Sequence, residues 1–258
     1  MSVWTDALGR LPDYLGQHVL LSVSAILLGL VISLPLAIVA MRSKLLRAPL
    51  LAFANVVQTI PGLALLALFY PLLLALSALT RSVFGFEVAA LGFLPALLAL
   101  TLYSILPVLR NTVAALDGID PAIKRAARAV GMTDWQSLLL VELPLAAPVV
   151  VAGIRTASVW VIGTATLSTP VGQTSLGNFI FTGLQTENWV FVLTGCVAAA
   201  ALALTIDRLL GLAQEGHEKR TRWRLYAAGA GLLAVVLAGL APQFASTETG
   251  VEIGRAHV

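Results

Sequence analysis

Residues 120–144 read DPAIKRAARAVGMTDWQSLLLVELP, a polar stretch between two long apolar runs. Its helix-capping residues, its glycine and its prolines predict two short helices joined by a turn. Asp120 can cap the first helix, over about 121–130, and Pro121 suits the first helical position, where its missing N–H costs nothing. Gly131 can end that helix in the left-handed conformation.

The second helix of this stretch begins with another capping pattern. Thr133 can cap it, and Gln136 stands three residues later, as in a capping box. Pro144 is expected to end or kink the helix, and Pro148 marks the return to apolar sequence. Both helices are therefore specified by local residues.

The rest of the chain is typical of a membrane protein. Of its 258 residues, 59% are hydrophobic and 11% are charged, whereas soluble domains carry roughly 25% charged residues. Helical runs of about 18–20 apolar residues suffice to cross a bilayer. The charge-free runs that meet this length are Val19–Met41, Ala48–Thr80, Val88–Leu109, Thr156–Thr186, Asn188–Ile206 and Leu225–Thr247.

We predict an all-α polytopic membrane protein with about six transmembrane helices and a cytoplasmic helical hairpin. The predicted spans are 18–41, 52–78, 88–109, 147–169, 189–210 and 225–241. The organisation that follows is an amphipathic N-terminal segment (1–17), a transmembrane domain (18–212) with a loop over about 111–147, a basic cytoplasmic loop (213–224), an additional transmembrane helix (225–241) and an outer tail (242–258).

Basic residues set the orientation, because cytoplasmic loops of membrane proteins are enriched in Lys and Arg. With the N-terminus outside, only Arg10, Arg81 and Arg255 fall outside. The inner loops then hold Arg42, Lys44, Arg47, Arg110, Lys124, Arg125, Arg128, Arg208, Lys219, Arg220, Arg222 and Arg224. The hairpin is therefore expected in the cytoplasm, and the net charge of +3 reflects topology rather than nucleic-acid binding.

Two proline-containing breaks carry polar residues at membrane depth. Such groups face either a helix interface, where they form hydrogen bonds, or a water-filled path, and the sequence leaves both open. The candidates for a translocation path are Gln58, Thr59 and Pro61 in NVVQTIPG (55–62) and Tyr103, Asn111 and Thr112 in LYSILPVLRNT (102–112).

The hairpin carries a family resemblance. Arg125-Ala126-Ala127, Gly131 and Val141-Glu142-Leu143-Pro144 resemble the EAA loop of importer-type ABC transporter permeases, roughly EAA-x3-G-x9-I-x-LP. Arg125 replaces the family's glutamate and reverses its charge. The resemblance implies that the loop docks in a cleft of an ATPase subunit, with coupling residues Arg125, Ala126, Ala127, Gly131, Met132, Leu143 and Pro144.

The resemblance extends over most of residues 15–212. QTIPGLALLALFYPLL, PALLALTLYSILPVLRNT and SLGNFIFTGLQTENW are similar to the permeases of osmoprotectant (glycine betaine, choline, proline betaine) ABC importers. One departure is GQTSLG at 172–177, where many relatives have GAGGLG, and this variant resembles a subgroup linked to weaker betaine transport. A permease for another small solute, such as an amino acid, and an ATP-independent secondary carrier are the alternatives.

The resemblance also implies a type I importer permease fold in a bacterial inner membrane and a set of partners. These are an ABC ATPase subunit, a periplasmic substrate-binding protein, and a second permease copy or paralogue. The chain has no G-x-x-x-x-G-K-[ST] phosphate loop, so ATP and Mg²⁺ are expected on the ATPase. No nucleophile, metal or acid–base constellation appears, which disfavours an enzyme.

Other single residues carry weaker expectations. His18, His217 and His257 are too scattered for a metal site, and Arg155 is expected to extend from its span toward the membrane interface. Quaternary ammonium ions are held by aromatic faces, for which Tyr103, Trp160 and Trp189 are candidates. By the resemblance, the binding protein makes the main selection, so no high-affinity site is expected in this chain.

The last seven residues, EIGRAHV (252–258), are encoded by GAG ATC GGA AGA GCA CAC GTC, a string similar to a sequencing-library adapter. We expect this heptapeptide to be an assembly artefact and the natural gene to continue past Val251, and the alternative is a genuine short tail.

Overall fold

The computed structural model describes the backbone of residues 3–219 and 221–255, and their side chains except at 218 and 242–255. The heptapeptide 252–258, which the sequence predicts to be an artefact, lies outside the residues whose side chains are described. Every regular secondary-structure element of the described residues is a helix. The α-helices are α1 (Val3–Arg42), α2 (Lys44–Thr59), α3 (Gly62–Phe84), α4 (Phe93–Asp117), α5 (Pro121–Ala129), α6 (Asp134–Ser137), α7 (Leu143–Ala165), α8 (Gly177–Gln185), α9 (Trp189–Glu218) and α10 (Arg222–Arg255).

Six helical segments of the described chain are long and apolar enough to cross a membrane, which confirms the predicted number. Five lie in α1, α3, α4, α9 and the part of α10 up to Ala241. The sixth is a continuous helical segment, Asp134–Val171, in which α6, a π-helical turn, α7 and a 3₁₀ turn follow one another.

Helix α4 lies at the centre of the bundle. Its most apolar stretch is 67% buried, against 17% for α3 and 11% for α10. α4 packs against α1 on one side and against α7 on another, while α10 lies on α1 and α9. Because α4 is covered by its neighbours, any surface open to a ligand or a second subunit is formed mainly by the helices around it.

Glycines allow the close approach of the neighbours of α4. A Cβ atom on Gly29 of α1 would lie 1.6 Å from Ser104 Oγ, and one on Gly153 of α7 would lie 2.9 Å from the Pro107 carbonyl oxygen. Small residues at such crossings are the common way to pack helices in lipid, where the hydrophobic effect does not drive association.

The first helix extends beyond the predicted span. α1 begins at Val3, so the N-terminal segment predicted over 1–17 continues into the first span rather than standing apart. Packing explains this continuity. Leu11, Tyr14 and Leu15 pack on a buried cluster that contains Phe179 of α8, and the Tyr14 and Phe179 rings meet edge to face at 4.8 Å.

The predicted span 52–78 is wrong as a single helix. α2 ends at Thr59 and α3 begins at Gly62, and the two residues between them are extended, with Ile60 at ψ 125° and Pro61 at ψ 141°. Proline disfavours the helical conformation of the residue before it. The carbonyl of Ile60 that this break frees accepts a hydrogen bond from the Tyr103 hydroxyl.

The predicted basic loop over 213–224 is also mostly helical. α9 continues to Glu218 and α10 starts at Arg222, and the Thr221 N–H bonds to the Gly216 carbonyl at 2.9 Å. Glu215 joins the ends of the two helices because its carboxylate pairs with Lys219 at 3.8 Å and with Arg224 of α10.

Candidate functional site

The first helix of the hairpin, α5, has the predicted ends. The Asp120 carboxylate accepts a backbone N–H of the first turn at 2.7 Å. Gly131 adopts the left-handed conformation with φ +82°. The N–H of Met132 then bonds to the carbonyl of Ala127 at 3.1 Å and that of Gly131 to Arg128 at 3.0 Å, which is the Schellman arrangement.

The second helix of the hairpin also starts as predicted. Thr133 Oγ1 accepts the N–H of Gln136 at 3.2 Å, and Gln136 Oε1 accepts the N–H of Thr133 at 2.9 Å. Pro144 does not end the helix. A π-helical turn (Leu138–Glu142) precedes it, because a wider turn relieves the clash between a proline ring and the carbonyl four residues earlier.

Charged contacts tie the two hairpin helices to each other and to α4. Lys124 Nζ lies 3.2 Å from Glu142 Oε2 and donates to the Leu116 carbonyl at 3.0 Å. Ser137 Oγ donates to Glu142 Oε1 at 3.0 Å. These side chains are only partly exposed, so the contacts fix the angle at which the hairpin leaves α4.

The two alanines of the coupling set differ in exposure. Ala126 is exposed, but Ala127 is 5% exposed, since it lies one helical turn from Lys124 on the inner face. Of the other coupling candidates, Arg125, Gly131 and Pro144 are exposed, while Met132 and Leu143 are half-buried.

The outer surface of the hairpin carries large apolar side chains outside the predicted spans. Val130 is 74% exposed, Trp135 is 52% exposed and Ile123 is 39% exposed. The Arg42 guanidinium lies over the Trp135 ring, 5.6 Å from its centre. Exposed apolar groups grouped among charges mark interaction surfaces. The hairpin therefore has a rigid inner face and an outer face suited to another protein.

A groove lined by polar and apolar side chains opens on the side of the bundle, between α2, α4 and α7. Its volume is about 420 Å³. Gln58 Nε2 donates to the Tyr103 carbonyl at 3.4 Å, and Asn111 Nδ2 donates to the Pro107 carbonyl at 2.8 Å. The lining residues are Gln58, Leu106, Pro107, Arg110, Asn111, Ala114, Thr156 and Trp160.

The structure brings only part of the predicted path set to this groove. Gln58 and Asn111 line it. Tyr103 and Thr112 are buried in the bundle. Thr59 is exposed and donates to a backbone carbonyl of its own helix at 2.7 Å, and Pro61 is exposed at the break that follows.

The sequence did not predict that Trp160 and Arg155 lie together beside the groove. Trp160 also lines a neighbouring cavity of about 410 Å³ that contains Arg155 and Asp207. Arg155 forms a forked ion pair with Asp207, at 2.9 Å and 3.0 Å, and donates to Gln214 at 3.1 Å. Arg155 is therefore held between α7 and α9 instead of extending alone to the interface.

The remaining aromatic and histidine candidates have structural contacts. Trp189 is exposed and meets Trp4 edge to face at 6.0 Å. His18 is fully buried between a contact from Nε2 to the Ile162 carbonyl at 3.1 Å and a hydrogen bond from Leu176 N–H to Nδ1 at 3.4 Å. No group of metal-binding side chains occurs among the described residues.

Comparison with known proteins identifies the family of this chain. The family described as "Binding-protein-dependent transport system inner membrane component" matches residues 25–223. The chain belongs to this family. It is a transporter permease subunit rather than an enzyme, and hydrolysis of ATP belongs to the partner ATPase.

Curated relatives cover most of this permease. It is 36% identical over 206 residues to the glycine betaine/carnitine/choline transport system permease protein of Bacillus subtilis, covering 80% of this chain and 88% of the relative. It is 37% identical over 205 residues to the osmoprotectant import permease protein of Salmonella typhimurium, covering 80% and 90%.

A solved structure shows the same fold at low identity. An inward-facing methionine ABC transporter has a TM-score of 0.67 and 21% identity, with 91% of this chain and 99% of that chain covered. The predicted type I importer permease fold is thereby confirmed.

Proposed function

We propose that the chain forms the translocation path of an ATP-driven importer for osmoprotectants such as glycine betaine or choline. The observation that carries this proposal is the 36% identity to a glycine betaine/carnitine/choline permease over 80% of the chain. The capped hairpin would serve as the coupling element of such a subunit, and the groove between α2, α4 and α7 would serve as its path.

The outer face of the hairpin fits the cleft of an ATPase subunit that binds ATP and Mg²⁺. Arg125, Ala126, Gly131, Met132 and Pro144 would lie at or beside that contact. Ala127 and Leu143 would act indirectly, because they pack on the inner side of the hairpin and would fix its shape. The contact from Lys124 to Glu142 would transmit movement of the ATPase to α4 and α7.

The groove between α2, α4 and α7 is the proposed path, closed by a second permease copy or a paralogue. Gln58 and Asn111 would line it, whereas Tyr103 would hold the break at Pro61 and Thr59 would lie beside that break. Thr112 would pack within the bundle. A periplasmic binding protein would deliver the solute to the outer side.

The asymmetry of the basic residues supports a bacterial inner-membrane protein with its N-terminus outside. In that orientation the hairpin lies in the cytoplasm, on the side where ATP is available.

Uptake into proteoliposomes tests the proposal. The chain would be reconstituted with its ATPase and binding protein, and entry of radiolabelled glycine betaine and choline measured. We expect uptake to require internal ATP and the binding protein, and to persist when ionophores abolish ion gradients. Uptake that follows an ion gradient without ATP would support the secondary carrier instead, and import of amino acids in place of both solutes would support the other permease class.

A further inference from the structure

Trp160 occupies an unusual place for a membrane tryptophan. It is 52% exposed and lies near the middle of the predicted span 147–169, within the charge-free run Thr156–Thr186. Tryptophans that anchor a span lie at its ends, at the level of the headgroups. Trp160 instead lines the groove between α2, α4 and α7, so interfacial anchoring does not explain its exposure.

Arg110 lines the same groove and is exposed. No ion pair holds its guanidinium among the described residues, in contrast to Arg155, which is paired with Asp207. Arg110 stands seven residues before the end of α4 at Asp117, about 10 Å along the helix axis. Its exposed guanidinium is therefore available to bind a carboxylate that enters the groove.

We propose that this groove is a low-affinity substrate site with two recognition points. This inference rests on the function proposed above. Trp160 contacts the quaternary ammonium group of the substrate, and Arg110 binds the carboxylate of substrates that carry one.

The chemistry of the groove fits that division. A quaternary ammonium ion cannot donate hydrogen bonds, and an aromatic face attracts it electrostatically. No carboxylate of the described chain lines the groove, and the nearby Asp207 is already paired with Arg155. The ring of Trp160 is therefore the group left to meet the cation. A guanidinium matches a carboxylate in two parallel hydrogen bonds.

The size of the groove fits the same class of solute. About 420 Å³ lies within the range of roughly 300–1,000 Å³ typical of small-molecule sites. The site is open along one side, which suits transient occupation during transport and leaves tight capture to the binding protein.

The first test replaces the aromatic group. The complete importer, with its ATPase and saturating binding protein, is reconstituted and the rate of uptake measured. We expect Trp160→Leu to lower uptake of both choline and glycine betaine about 5- to 20-fold, and Trp160→Phe to stay within about 3-fold of the unaltered importer. Trp189→Leu, at an exposed tryptophan outside the groove, should leave uptake unchanged. Equal effects of Trp160→Leu and Trp189→Leu would overturn the assignment.

The second test separates the two recognition points. Arg110→Gln should lower uptake of glycine betaine and carnitine about 10-fold while choline, which has no carboxylate, stays within about 2-fold. An equal loss for all three solutes would refute the role of Arg110 in binding a carboxylate. ATPase activity stimulated by the loaded binding protein should be retained in both variants.

A binding measurement covers the case in which a variant fails to assemble. Saturation-transfer NMR on the purified chain in lipid nanodiscs should detect choline at millimolar concentration, with the signal reduced by Trp160→Phe less than by Trp160→Leu. Absence of the signal in the unaltered chain counts against the site. An importer that carries none of the three solutes refutes the proposed function itself, whereas an active importer unaffected by both substitutions refutes only the two-point site.

Discussion

Substitution of Gly153 by alanine tests the helix packing that shapes the groove. The new Cβ atom would lie 2.8 Å from Asn111 Cβ and 2.9 Å from the Pro107 carbonyl oxygen, whereas non-bonded heavy atoms prefer about 3.5–4.0 Å. The Pro107 oxygen belongs to the backbone and cannot rotate away. α7 and α4 must therefore separate locally by about 0.5–1 Å.

The cost follows from two opposing terms. Overpacking of this kind costs about 1–3 kcal/mol, and the better helix propensity of alanine returns at most about 1 kcal/mol. A net loss of about 1–2 kcal/mol corresponds to a fall in melting temperature of roughly 2–8 °C for a chain of this size. Because Asn111 lines the groove, uptake should fall as well.

Gly163 of the same helix provides the matched control, since a Cβ atom there would meet nothing within 4 Å. Gly163→Ala should leave the melting temperature unchanged or raise it slightly. Thermal unfolding in nanodiscs, followed by tryptophan fluorescence, measures both variants. If Gly153→Ala and Gly163→Ala unfold at the same temperature, α4 and α7 are not packed as closely as described.

Three further predictions concern charged groups. Arg155→Leu should lower the melting temperature more than the double variant Arg155→Leu, Asp207→Leu, because the single change leaves Asp207 without its partner. A double-mutant cycle should give a coupling energy of about 1–3 kcal/mol. Additivity of the two single changes within about 0.5 kcal/mol would contradict the pairing. Glu142→Gln should loosen the hairpin by weakening its contact with Lys124, seen as roughly 3- to 10-fold faster hydrogen exchange in α5, and unchanged exchange would show that the contact does not hold it. Arg125→Glu should reduce co-purification of the ATPase if Arg125 faces an acidic partner group, and undiminished recovery would exclude such a group.

The hairpin is the part of the fold that the sequence predicts best, because its determinants are local. The caps at Asp120 and Thr133 and the left-handed Gly131 each depend on residues within one helical turn. The burial of Ala127 could not be read in the same way. It depends on how α5 packs against the second hairpin helix. An alanine is common on both buried and exposed helix faces, so its identity does not predict which of the two alanines is buried.

The number of spans followed from hydropathy, but their boundaries depended on tertiary contacts. The N-terminal segment is continuous with the first span, and it packs against Phe179, which is distant in sequence. The break at Pro61 was visible as a proline with polar neighbours. Its outcome as two separate helices requires the Tyr103 hydroxyl, which satisfies the freed carbonyl of Ile60.

The groove was only partly predictable because three helices build it. Gln58 and Asn111 were found as polar residues in apolar runs. Arg110 was assigned to a loop by its charge. The pair formed by Arg155 and Asp207 joins residues 52 positions apart, and Arg155 was interpreted without a partner. Complementary lone charges in two spans are the signal that could have connected them.

The coupling of ATP hydrolysis to uptake through the hairpin is the central claim, and Gly131 tests it most directly. Its φ of +82° suits glycine, is tolerated by asparagine and strains a β-branched residue. The measurement is solute imported per ATP hydrolysed by the reconstituted importer. We predict that Gly131→Val inserts and assembles normally but loses most uptake per ATP, while Gly131→Asn retains most of it. A Gly131→Val importer with the unaltered ratio would contradict the account.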